Sequence, residues 1–315
     1  MEKLKIVFMG TPEFAVGILE TILKNNHEVV GVITAADKPA GRGQKLKFSA
    51  VKEYALQHNL NLLQPTNLKD AVFLSELRSL NANLQIVVAF RMLPEVVWKM
   101  PKFGTFNLHA SLLPNYRGAA PINWAIINGE TKTGVTTFFI DDKIDTGAII
   151  LSKEISISNS ENAGELHDKL MLLGCEAVIE TLNLIKNDAV KTTIQKDSDE
   201  IKTAYKLNKE NCKIDFNKHG QEIYNLIRGL SPYPSSWCII KDVNEEWNVK
   251  IYDVIFILEL HNNAIGSMII TKKEMKISVK NGFLDVISLQ FPGKKRMSCS
   301  ELLNGMSFSK DTKAL

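Results

Sequence analysis

The sequence predicts an α/β fold: an open, mostly parallel sheet flanked by helices, followed by a small barrel of short strands. Three patterns carry this expectation. The chain opens with strand, helix and strand periodicities in succession, the start of a parallel sheet. Further apolar runs of strand length follow, with one long amphipathic helix after them. Beyond a polar stretch the pattern changes to short strand-like runs punctuated by turns, as in a small barrel.

The opening βαβ unit is read residue by residue. Leu4–Met9 forms a buried strand. Thr11 supplies a helix N-cap and Pro12 the first helical position. Ala15, Ile18, Leu19, Ile22 and Leu23 recur at helical spacing through Lys24, and Asn25-Asn26 ends that helix. Glu28–Ile33 is the second strand. Gly10-Thr11-Pro12 lacks the further glycines that would admit a pyrophosphate, so Gly10 serves a tight turn and not a dinucleotide site. Leu84–Phe90, Phe103–Leu108 and Val135–Ile140 are later strands, and Ala163–Ile185 is the long helix. Ligands of such a sheet bind at the strand carboxyl ends.

A chain of 315 residues is comfortable for two domains. Composition turns polar after Asp188, through Lys191, Thr192, Thr193, Gln195, Lys196 and Asp197. Residues 1–187 are therefore expected to form a first domain, 188–209 a linker and 210–315 a second domain. In the last part Gln221–Leu230 is helical and stops at Ser231-Pro232-Tyr233-Pro234. Strands follow over Cys238–Ile240, Val249–Leu258, Ser267–Thr271, Lys276–Val279 and Leu284–Leu289, with Asn281-Gly282 as a hairpin signal.

Bulk properties exclude several classes. Lys and Arg number 38 against 35 Asp and Glu, and the resulting +3 announces no polyanion partner by itself. Its distribution is uneven. Residues 1–204 hold 22 basic and 23 acidic groups, whereas 205–315 hold 16 and 12. Cys175, Cys212, Cys238 and Cys299 are far apart and form no metal-binding spacing, so four reduced thiols and no metal are expected. Only Ile6-Val7-Phe8-Met9 follows Lys5 before Gly10, too short for a signal segment. No run approaches the roughly 20 apolar residues of a membrane helix. A cytoplasmic, soluble monomer without a membrane partner is expected.

The chemistry concentrates in Asn107-Leu108-His109-Ala110-Ser111-Leu112-Leu113-Pro114-Asn115-Tyr116-Arg117-Gly118 and in Asp141-Asp142-Lys143-Ile144-Asp145-Thr146-Gly147. Asn107 and His109 are two apart, so on a strand they share a face. An amide, an imidazole and a carboxylate at strand ends suit acyl transfer. The amide stabilises an oxyanion, the ring moves protons, and the carboxylate orients and charges the ring. On the residues alone, Asp141 and Asp142 compete with Asp145 for the last role.

These strings resemble the active site of the 10-formyltetrahydrofolate-dependent formyltransferases. The likeness runs from Gly10-Thr11-Pro12-Glu13-Phe14 to Pro292-Gly293-Lys294-Lys295-Arg296-Met297. It implies a Rossmann-like first domain and an OB-like second one. It selects Asp145, through Asp145-Thr146-Gly147, as the catalytic carboxylate beside Asn107 and His109. It implies that Ser111, Leu112, Leu113 and Pro114 contact formyl-folate, and that Phe90, Arg91 and Met92 line the pterin side. Arg91 and Met92 depart from the family's commoner Tyr-Gly-x-x-Leu-Pro form. The donor would be 10-formyltetrahydrofolate. The loop from Asp37 to Lys47 resembles the one by which the branch acting on methionyl initiator tRNA engages the acceptor end. Arg42, Lys45 and Lys47 are accordingly expected at the tRNA, together with Lys206, Lys209, Lys294, Lys295 and Arg296. The alternative acceptor is a small-molecule amine or water.

Overall fold

The computed structural model describes residues 2–40, 45–243 and 245–315. Its elements run in order through β1 (Lys5–Gly10), α1 (Glu13–Lys24), β2 (Glu28–Ile33), β3 (Lys38–Ala40), β4 (Lys45–Lys47), α2 (Ala50–Gln57), β5 (Leu62–Leu63) and α3 (Ala71–Ser79). They continue with β6 (Leu84–Val88), α4 (Glu95–Trp98), β7 (Thr105–His109), β8 (Arg117–Gly118), α5 (Pro121–Ile127), β9 (Lys132–Phe139), β10 (Ile149–Ser156) and α6 (Ala163–Lys186). The last part holds β11 (Thr203–Ala204), α7 (Gly220–Leu230), β12 (Ser236–Asp242), β13 (Glu245–Leu258), β14 (Met268–Ile270), β15 (Met275–Val279), β16 (Gly282–Gln290), β17 (Met297–Ser298), α8 (Cys299–Leu303) and β18 (Lys313–Ala314).

The chain divides into two compact units. The first comprises residues 1–118, 133–155 and 167–203; the second comprises 119–132, 156–166 and 204–315. The polar stretch expected as a linker thus splits near its end, with its first part in the first unit. Thr193 bridges to Ile149, so that stretch adds backbone pairing to the sheet edge. The second unit in turn takes two segments from the first 187 residues. In it, Asn123 Nδ2 on α5 donates to the carbonyl of Gly229 on α7 at 2.7 Å.

The first unit is the expected open sheet, ordered β10-β9-β7-β6-β1-β2-β5. Strands β5, β2, β1, β6 and β7 run parallel, and β9 joins β7 antiparallel. Ile6, Val7, Phe8 and Met9 are all fully buried, which fits a central parallel strand covered on both faces. α1 begins one residue later than the sequence suggests. Pro12, not Thr11, occupies its N-cap and offers no side-chain bond, while Glu13 in the first turn complements the helix dipole. α2 and α3 escape the apolar periodicity of the sequence because each buries only two residues, but both are capped, by Ser49 and Asp70.

The second unit contains a nearly closed antiparallel barrel, ordered β14-β15-β16-β13-β12-β18, with β17 on β16. Closure comes from the pairing of Ser267 with Lys313 and from Ala314 N–H donating to Gly266 O at 2.8 Å. The hairpin between β15 and β16 lies one residue before its expected centre. Val279 pairs with Gly282, which leaves Lys280-Asn281 as the loop. Ile223 and Ile227 of α7 join Cys238, Ile251, Ile277 and Leu284 in the barrel core. All four cysteines are free thiols, and burial pushes Cys238 up to about 12. No helix among the described residues is long and apolar enough to cross a membrane.

β7 carries Asn107 and His109, two of the residues expected at the chemistry. Phe106 and Leu108 point into the packed layers, with Phe106 fully buried, and the alternate residues Asn107 and His109 share the other face. Phe106→Ala is expected to cost about 3–5 kcal/mol, the usual penalty for a buried aromatic cavity. Equilibrium denaturation in urea would show it as a lowered midpoint at unchanged slope.

Candidate active site

His109 ends β7 and is 6% exposed. Its Nε2 lies 2.8 Å from the carbonyl oxygen of Tyr116. A carbonyl only accepts, so Nε2 carries hydrogen and donates, and Nδ1 is left as the acceptor of the neutral ring. That Nδ1 faces Asp145 Oδ2 at 3.8 Å, too far for a hydrogen bond in this state. Protonation at Nδ1 would convert the approach into an attractive ion pair.

Asp145 is fixed from another side. Its Oδ2 accepts the Gly118 backbone N–H at 2.9 Å. Its φ is +56°, in the left-handed region that aspartate enters more readily than most non-glycine residues. Tyr116, whose carbonyl orients His109, also has a positive φ of 61°. The turn after β7 therefore does two jobs. It returns a carbonyl to the imidazole and an N–H to the carboxylate. Sequence reasoning missed both groups because they are backbone atoms of Tyr116 and Gly118; only the fixed spacing within the motif hints at them. Asp141, the competitor, has its carboxylate engaged by Thr146 Oγ1 and Lys143 N–H within its own turn.

Asn107 is half-buried, and its carboxamide makes no hydrogen bond among the described residues. A carboxamide held on a rigid strand with its donors uncommitted is a ready oxyanion partner.

The residues expected at the folate divide into two groups. Ser111 is fully buried, and its hydroxyl donates to Asn115 O at 2.7 Å, so it holds the turn together. Thr136 supports the same turn: it donates to Ser111 O at 2.7 Å and accepts from Leu113 N–H at 3.2 Å. A threonine in an apolar strand run gives no sequence signal of that role. Leu113 is buried and Leu112 and Pro114 are half-buried. In the loop after β6, Arg91 and Met92 line an open cleft of about 1000 Å³ with Thr66, Leu68, Leu93 and Val96. Arg91 does not project into solvent as a free cation. Its Nη1 donates to Thr66 O at 2.8 Å and its Nη2 to Pro65 O at 2.5 Å, which ties the β6–α4 loop to the segment after β5. Phe90 is half-buried against the core of that edge. The cleft lining does not include Asn107, His109 or Asp145. β6, which leads into the loop that lines the cleft, pairs with β7, with Val88 opposite Leu108.

Of the residues expected at tRNA, Arg42 lies outside the described residues, as does the side chain of Lys45; their flanks form a β3–β4 hairpin in which Lys38 pairs with Lys47. Lys47, Lys206, Lys209, Lys294, Lys295 and Arg296 are all exposed. Lys209 stands 5.2 Å from the centre of the Trp237 ring, as a cation–π pair. Arg296 packs 4.6 Å from the Tyr252 ring and donates to Ser288 Oγ, so part of its binding capacity is already used. No cluster of three metal-ligating side chains occurs among the described residues.

Comparison with known proteins identifies the family. The formyl transferase family matches residues 4–182, and the C-terminal domain of formyl transferases matches residues 206–307. The methionyl-tRNA formyltransferase of Flavobacterium johnsoniae is 72% identical over 313 residues, covering 99% of each chain. That of Bacteroides thetaiotaomicron is 52% identical over 98% of this chain and 97% of its own. Among solved structures, a sugar 3N-formyl transferase determined in the presence of dTDP and 5-N-formyl-THF aligns with a TM-score of 0.65 at 25% identity, over 94% of this chain and all of that one. A HypX structure from Aquifex aeolicus, at 16% identity and a TM-score of 0.63, shares the fold over 96% of this chain and 47% of that one. With both family domains matched and full-length relatives at this identity, the chain belongs to the formyl transferases, in the methionyl-tRNA formyltransferase family.

Proposed function

We propose that the chain transfers the formyl group of 10-formyltetrahydrofolate to the α-amino group of methionyl initiator tRNA, with Asn107, His109 and Asp145 as its catalytic residues. The observation that carries the choice of acceptor is the 72% identity, over 99% of both chains, to a protein named methionyl-tRNA formyltransferase. Formyl-folate supplies the carbon to be transferred. Two features support it: a cleft with an apolar wall at Met92 and Leu93, and, apart from that cleft's lining, a Ser111–Pro114 turn braced by Thr136.

The residues act as follows in this reading. The Asn107 carboxamide donates to the formyl oxygen, whose negative charge grows as the amine nitrogen bonds to the formyl carbon. His109 Nδ1, the unprotonated nitrogen, takes the proton released by the amine. The carboxylate of Asp145, held by Gly118, then faces an imidazolium and stabilises it. The ring returns the proton to N10 as the carbon–nitrogen bond to the folate breaks. One bond forms and one breaks, with no change of oxidation state. Asp145 needs no proton of its own in either step; its part is orientation and charge.

In the second unit, Lys206, Lys209, Lys294, Lys295 and Arg296 offer cations to phosphates, and Arg42 with Lys45 and Lys47 would do so from the first. A cytoplasmic location and action as a monomer belong to the same reading.

Formylation of charged initiator tRNA, set against formate release without tRNA and formylation of an amino sugar, tests the acceptor. Activity confined to the sugar or to water would overturn the tRNA assignment. Asn107→Ala is expected to slow single-turnover formylation by about 10²–10³, the usual cost of one oxyanion donor. His109→Ala should slow it by about 10²–10⁴, the usual worth of a general base. Near-normal rates in either variant would remove that residue from the mechanism. Separately, Lys206→Gln with Lys209→Gln should flatten the plot of log affinity for tRNA against log salt by about 0.7–0.9 per lysine. An unchanged slope would take these lysines off the phosphate backbone.

A further inference from the structure

The polar stretch after α6 reaches the catalytic aspartate. Gln195 Nε2 donates to the backbone carbonyl of Asp145 at 2.9 Å and to that of Gly147 at 2.8 Å. Its Oε1 accepts from Arg117 Nε at 3.1 Å and from Arg117 Nη2 at 2.8 Å. An amide nitrogen has two hydrogens and an amide oxygen two lone pairs, so all four are used. The orientation is unambiguous, since the nitrogen meets only acceptors and the oxygen only donors. Arg117 is itself anchored, with Nη1 donating to Asp197 Oδ1 at 2.7 Å. The residue after Arg117 is Gly118, whose N–H holds the Asp145 carboxylate. The bonds thus close a ring: Gly118 to the Asp145 side chain, the Asp145 backbone to Gln195, and Gln195 to Arg117.

We infer that Gln195 is a positioning residue for Asp145, holding its backbone so that the carboxylate stays aimed at His109 Nδ1. The need for it is local. An aspartate tolerates the left-handed region better than most residues, so the conformation alone does not fix where its carboxylate points; what holds the loop does. Here the side chain is fixed by one hydrogen bond and the main chain by Gln195. The loop has little slack elsewhere, because a Cβ at Gly147 would lie 1.6 Å from Phe139 O. Without Gln195 the two carbonyls lose their donor and Asp145 can relax toward ordinary φ values, which swings its carboxylate away from the imidazole. Gln195 touches no reacting atom, so its loss should act on turnover and not on substrate binding.

The inference rests on Asp145 being the catalytic carboxylate, and the test separates the two ideas. Gln195→Met keeps length and removes all four bonds. Gln195→Glu keeps the acceptor for Arg117 but turns a carboxylate oxygen onto two carbonyls. Asp145→Asn is measured beside them. Formyl transfer to Met-tRNA is followed in single and multiple turnover, well below each variant's unfolding temperature. Expected is a fall in kcat of about 10–10² for both Gln195 variants, the scale of an ångström-level misplacement, with KM for formyl-folate and for tRNA within about threefold. Gln195→Glu should be the slower of the two. Normal kcat in Gln195→Met with a slow Asp145→Asn enzyme would overturn the role of Gln195 alone. Normal kcat in Asp145→Asn would overturn the reading of the site. A rise in KM without a fall in kcat would make Gln195 part of a binding surface and also refute the inference.

Discussion

The short contact from the Gly118 N–H to the Asp145 carboxylate is the constraint on which the rest of the site depends. It joins two turns that emerge from different parts of the sheet, one after β7 and one after β9. Without it, the imidazole at the end of β7 would face a mobile acid, and the sheet would deliver a histidine and an asparagine without a partner. The turn that makes this contact also bends back a carbonyl to His109, which sets the tautomer. One stretch of backbone therefore decides both which ring nitrogen is basic and where the compensating charge sits. The neighbouring Ser111 and Thr136 hydroxyls are spent on keeping that stretch in shape.

The parallel sheet supplies the stiffness underneath. Strand β7 buries Phe106 and Leu108 on one face and Thr105 and His109 on the other, so a slip by one residue would put each side chain into packing shaped for another. The register that protects the core is the register that presents the chemistry.

The sequence made much of this visible, for identifiable reasons. The βαβ start, the long α6 and the alternation of Asn107 with His109 are local patterns, and local patterns survive in one dimension. Asp145 stood out from Asp141 only through its likeness to a known motif, and the structure gives a physical counterpart: Asp141 is consumed by its own turn. Gln195 was not legible. It sits 50 residues from Asp145 in a tract whose composition reads as solvated linker, and a glutamine there has no distinguishing spacing. Thr136 looked like an ordinary β-former. Arg91 stood out in sequence only as a departure from the family's commoner form, and nothing there shows that its guanidinium turns back onto the Pro65 and Thr66 carbonyls. The division of the chain into units was legible only in outline, since composition cannot show that α5 belongs with α7.

That last pairing bears on how the protein comes to be folded. The amide of Asn123 meets Gly229 across 106 residues, and the Arg228 guanidinium meets the Glu161 carbonyl across 67. During synthesis, residues 119–132 and 156–166 leave the ribosome well before the barrel strands they are to join. They wait with apolar side chains such as Ile127, which packs over Gly229, unpaired while α7 is still being made. Contacts of such long range are slow to form and leave surface open to wrong associations in the interval. The barrel is for the same reason no portable cassette: moved to another protein without those two early segments, it would arrive with α7 uncovered.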